Sequence, residues 1–160
     1  MRYILNSSSA PNLIVAFSNL MAFVPMYTCY KSHDYITTLC ISYVFIASFI
    51  SHLFESHKHG MIGFNTSKDI SFILNRFDVM GVFLVIGRFI YLYYLHYGFN
   101  MNKLTKNKLL LFLTIFAFGL NFISEHDKSS KTKNFFILAH SIWHIMIFTI
   151  INFYFKYLFL

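Results

Sequence analysis

His140 and His144 stand four residues apart in the run Ala139-His-Ser-Ile-Trp-His144. That is the spacing by which one helix turns two imidazoles toward a single metal ion. Ser48 and His52 repeat it, setting a hydroxyl and a third imidazole on one helix face, and Asp78 adds a carboxylate. All of these residues fall inside or at the edge of long apolar runs, where ionisable groups are costly and are functional candidates by default. Three imidazoles and a water make up a catalytic zinc shell. Histidines within apolar helices are also found simply packed or hydrogen-bonded. Composition and spacing leave both readings open for His52, His140 and His144.

The elements that must position these groups are helices that cross a bilayer. Of 160 residues, 57% are apolar and 12% are charged, against roughly 25% charged in ordinary soluble domains. A span needs about 20 mostly apolar residues, and five segments qualify: about 11–30, 35–54, 70–92, 109–124 and 134–154. Pro11 is placed to open the first, and Pro25 to kink it. The third apolar run continues to about residue 97, long for one span and short for two. The single-helix reading has Arg88 reaching the interface and the tyrosines beyond it forming an aromatic belt. The expected fold is all-α, a polytopic membrane helix bundle in a single domain over residues 1–160. Asp78 would lie about 14 Å into its span and His140 about 9 Å into its own. Both would be on the face that holds the N-terminus and the end of the second span at His52.

Other chemistries find little support. The charge of +7 is spread between apolar runs rather than gathered into a nucleic-acid-binding stripe, so no nucleic acid is expected. Basic residues near span ends fit anionic headgroups. Cys29 and Cys40 are too few for a disulfide framework. The first apolar run lacks a cleavage-site pattern and reads as a retained helix. Arg2, Lys58, Lys68, Lys128, Lys131 and Lys133 on one side balance Lys31, Lys103, Lys106, Lys108 and Lys156 on the other, so charge does not set orientation. Arg76 reads as a headgroup contact, His33 and His96 as packed, and His57 and His59 as solvating a loop.

Ser48-Phe-Ile-Ser-His52, Asp78 and His140-Ser-Ile-Trp-His144 resemble the Ser-x-x-x-His, Asp and His-x-x-x-His signature of a membrane hydrolase superfamily. It includes alkaline ceramidases, progestin and adipoQ receptors and the lipases that remodel GPI anchors. Ser18-Asn-Leu-Met-Ala-Phe-Val-Pro25 and Ile73-Leu-Asn-Arg-Phe-Asp-Val-Met-Gly81 make the chain similar to its transmembrane protein 8 and myomaker branch. That group is typically seven-helical; five spans correspond to the loss of one helical hairpin between the third and penultimate spans. Members often carry an aspartate shortly after the first site histidine, where this chain has Glu55.

The resemblance implies an outside or lumenal N-terminus and a zinc ion held by His52, His140 and His144. It further implies that zinc activates water and polarises the carbonyl of a lipid amide or ester. Asp78 would accept and donate the proton, and Ser48 would hydrogen-bond the water or the developing oxyanion. The expected partner is a membrane lipid substrate entering sideways from the bilayer. Two alternatives stand beside this hydrolase: a non-enzymatic myomaker-like protein of membrane remodelling or fusion, and a haem protein with paired axial histidines.

Overall fold

A computed structural model describes residues 9–64, 67–126 and 129–160. Arg2 and Lys128, which enter the charge comparison, lie outside them. The protein is all-α, with no strand among the described residues. Its principal helices are α1 (Ala10–Lys31), α2 (Tyr35–Leu53), α3 (Lys68–Tyr97), α4 (Lys108–His126) and α5 (Lys133–Phe159). A short helix at Asn102–Lys106 precedes α4, and a 3-10 turn at Ser130–Thr132 leads into α5. Among the described residues, five helices, the last counted from Ser130, are long and apolar enough to cross a bilayer, as a multi-pass membrane protein requires.

Local sequence explains the breaks. Pro11 opens α1, where its missing N–H costs nothing. Pro25 lies inside α1, and the preceding turn, Asn19–Ala22, winds as 3-10 helix. This is the turn that a proline ring strikes and whose carbonyl it leaves without a donor. The third apolar run is one helix of 30 residues, closed by Gly98 at φ +58°. At about 1.5 Å per residue it spans about 45 Å, longer than a hydrocarbon core, so it needs no break.

Four helices share one core. Ala22 and Cys29 of α1 pack with Ile41 and Val44 of α2, Val85 and Leu92 of α3, and Phe148 and Phe155 of α5. The fourth helix lies against α5 through Leu110, Ala117 and Ile150. Gly81 is where α3 comes closest to α2: a Cβ there would stand 2.9 Å from the Val44 Cα. Only hydrogen fits, and the close approach carries Asp78, one turn earlier, toward His52. Outside the core, large apolar side chains such as Leu39, Phe83 and Phe112 face outward, a surface suited to lipid.

At the end of the bundle far from the histidines, Arg88 departs from its expected role. It does not reach out to the interface; its Nη2 donates to Asp34 Oδ1 at 2.9 Å and its Nε to Thr37 Oγ1 at 2.9 Å. The turn before α2 supplies a carboxylate at the same level, and pairing there satisfies the guanidinium inside the bundle. Asp34 also caps α2, accepting from the Thr37 N–H at 3.0 Å. Burial would raise its carboxyl, but the Thr37 hydrogen bonds and the Arg88 guanidinium outweigh that and hold it below the usual carboxylate range. Arg76 is exposed and lies over the Phe72 ring. His96 bonds the Leu92 carbonyl and His33 the Tyr35 hydroxyl, both local contacts.

Because folding depresses Asp34, its contribution is complete above about pH 4 and fades as the pH falls further. Asp34→Ala is expected to cost about 1–3 kcal/mol, read as a lower thermal unfolding midpoint in detergent at pH 7. The gap to wild type should narrow below pH 4; a gap unchanged at pH 3 would contradict the assignment.

Candidate metal centre

The site forms where α2 ends, α3 and α5 begin, and α4 closes. Asn12, fully buried near the start of α1, fixes that end of α2: its amide donates to the His52 carbonyl at 2.8 Å and the Glu55 carbonyl at 2.9 Å. The His52 carbonyl belongs to the last turn of α2 and the Glu55 carbonyl to the segment just beyond it, where the regular helical ladder has ended. His52 thereby faces His140 and His144 across the bundle. The ring centroids stand 4.9 Å (His52–His140), 5.0 Å (His52–His144) and 4.7 Å (His140–His144) apart. One nitrogen from each ring lies within 4.8 Å of the other two. Ligands about 2.0–2.1 Å from a tetrahedral zinc stand about 3.3 Å apart, so the shell forms with each pair closing by at most about 1.5 Å.

Hydrogen bonds behind the rings fix which nitrogen is free. His52 Nδ1 meets Glu55 Oε2 at 2.9 Å, and a carboxylate can only accept. His144 Nδ1 meets Ser18 Oγ at 2.8 Å. The Ser18 proton is already donated to the Val15 carbonyl at 2.6 Å, so the serine accepts from the ring. His140 Nδ1 lies 3.5 Å from Ser124 Oγ, whose proton goes to the Asn121 carbonyl at 2.8 Å. Glu125 Oε1 is a second acceptor 3.6 Å from the same nitrogen. These outer acceptors favour hydrogen on Nδ1 of His52 and His144, which turns Nε2 of both rings toward the shared volume; at His140 the nearest acceptor to Nδ1 is Ser124 Oγ at 3.5 Å. His52 Nε2 is buried with no hydrogen-bond partner, and a metal ion would satisfy it. These residues fit zinc.

Asp78 and Ser48 complete the set. Asp78 Oδ2 lies 3.8 Å from His52 Nε2 and Ser48 Oγ 3.5 Å from His144 Nε2. All five residues proposed for the site thus meet in one place. Ser18, Ser124, Asn12 and Glu125 are the supporting residues that sequence reasoning did not assign; the available signal was a polar side chain within or ending an apolar run.

A cap covers the site. His57 and His59 do not solvate an open loop. His59 is fully buried and stacks on Phe136, centroids 4.0 Å apart, and His57 Nδ1 meets Ser71 Oγ at 2.7 Å. Lys58, also buried, binds both Glu125 oxygens at 2.8 Å and Glu55 at 3.3 Å. Apolar α5 residues give the loop a surface to fold onto, and the two glutamates give its lysine somewhere to go. Burial would raise Glu55, but the His52 hydrogen bond and the Lys58 charge pull it down to about 2. Burial would lower Lys58, but the glutamates hold it above its ordinary value.

No family model matches this chain, and no solved structure matches it. "Uncharacterized protein L282" of Acanthamoeba polyphaga mimivirus is 44% identical over 146 residues, covering 91% of this chain and 96% of the viral protein.

Outer hydrogen bonds of this kind are worth about 10–100-fold in metal affinity. Ser18→Ala is expected to weaken zinc binding by that factor, measured by chelator competition, with helical content unchanged. An affinity equal to wild type would contradict the assigned tautomer.

Proposed function

This chain belongs to the same family as the mimivirus protein, and we propose that it is a zinc-dependent integral membrane hydrolase acting on a lipid amide or ester. The observation that carries the proposal is the convergence of three imidazoles, one nitrogen of each within 4.8 Å of the other two, with outer acceptors at Nδ1 of His52 and His144. The Ser48, His52, Asp78, His140 and His144 pattern also supports kinship with the transmembrane protein 8 and myomaker branch, as a five-helix reduction of its fold.

His52, His140 and His144 would hold zinc, which supplies a Lewis acid and lowers the pKa of water. The chain's own groups do the rest. Asp78, the carboxylate beside His52, accepts the proton of the attacking water and returns it to the departing amine or alcohol. Ser48 donates a hydrogen bond to oxygen as negative charge develops. The outer acceptors keep the rings in one orientation, and the cap excludes bulk water from the side of residues 55–60. Substrate approaches from the lipid, past Asp78, whose side chain is 15% exposed.

A second reading, a non-enzymatic membrane-remodelling protein that keeps the metal, draws on the cap. His52, His140 and His144 are only 1%, 5% and 1% exposed, as suits a structural centre. The haem alternative lacks a comparable basis: rings 4.7–5.0 Å apart leave no slot for a porphyrin between a facing pair.

The variants separate these readings. His140→Ala and His144→Ala should each lose zinc and activity together. Asp78→Asn should retain zinc, by metal analysis, and lose at least about 10²-fold in turnover of a lipid amide or ester. Full activity of Asp78→Asn would refute the proton-transfer role, and a zinc-loaded wild type that turns over no lipid would favour the non-enzymatic reading.

A further inference from the structure

At the face opposite the histidines, the ends of α1 and α5 enclose an open groove of about 530 Å³. Its charged groups are Lys31, the last residue of α1, and Lys156, in the last turn of α5. Among the described residues, no acidic side chain lines it. Its apolar floor includes Phe23, Val24 and Leu160, all largely exposed. Tyr27 stands at the same level with the Lys31 ammonium 5.6 Å from its ring centroid, the mixture of aromatic and cation found where helices meet headgroups.

We infer that this groove is a binding site for an anionic glycerophospholipid, with its phosphate between Lys31 and Lys156 and an acyl chain along Phe23 and Val24. Two exposed lysines with no carboxylate among the lining residues favour an anion, and the apolar floor running down α1 from the cationic end favours a chain attached to it. A soluble anion leaves the floor bare; a zwitterionic lipid brings a phosphate together with its own ammonium, which opposes the lysines. Other basic residues of that face, Lys103 and Lys106, lie in the short helix before α4 and do not line the groove. The inference is independent of the metal site.

Near a membrane surface each lysine contributes on the order of fivefold to anionic-lipid binding, two together about 10–30-fold. The test is native mass spectrometry of the full chain in detergent, titrated with phosphatidylglycerol or phosphatidylcholine. Wild type should prefer phosphatidylglycerol by about 10-fold or more. Lys31→Gln/Lys156→Gln should reduce that preference to within about twofold, and Lys103→Gln/Lys106→Gln should keep it. Inorganic phosphate at millimolar concentration should not displace the lipid. The site is refuted if the groove variant keeps its preference, if the Lys103/Lys106 pair loses as much, or if phosphate alone competes.

Discussion

Three imidazoles can share one small volume inside an apolar bundle only if every ring N–H has an acceptor. In hydrocarbon surroundings no water rescues an unpaired donor, and each one costs several kcal/mol. The supporting structure follows from that demand. Ser18 and Ser124 act as acceptors because their own protons are already committed to backbone carbonyls one turn back in their helices. Glu55 accepts because its charge is stabilised by Lys58. The outward hydrogen bonds thereby favour turning the inward nitrogens toward one another.

This arrangement ties the bundle together at one end. Through Ser18 and Asn12, α1 reaches His144 and the end of α2. Through Glu125 and Ser124, α4 reaches Lys58 and His140, although it lies outside the main core. The third helix joins because Gly81 admits the α2 backbone, bringing a carboxylate to the same point. At the other end, Arg88 and Asp34 play the equivalent structural part with an ion pair and no convergence of ligands. The two polar clusters differ in kind: one pairs a guanidinium with a carboxylate, and the other leaves His52 Nε2 without a hydrogen-bond partner among the described residues.

Much of this is legible in the sequence because apolar length and the i, i+4 rule are local. The five helices, the single long α3 and the opening at Pro11 follow from run lengths, and spacing puts Ser48, His52, Asp78, His140 and His144 at a similar depth; reading them as one metal site rests on the family resemblance. What is not legible depends on partners distant in sequence. Arg88 looks like an interface residue until Asp34, 54 positions away, is seen beside it. His59 and Lys58 look like loop solvation because nothing local reveals Phe136 and Glu125 beneath them. Ser18 and Ser124 carry only the weak signal of a polar side chain in an apolar run: a serine there usually bonds its own backbone, and these do that as well.

The central claim is that His52, His140 and His144 present three Nε2 lone pairs to one metal ion. Zinc-edge X-ray absorption of the zinc-loaded, detergent-purified protein tests it most directly. The account predicts three imidazole nitrogens at about 2.0–2.1 Å and a single further light ligand. A shell of carboxylate and water oxygens without three imidazoles, or a protein that retains no zinc, would contradict it.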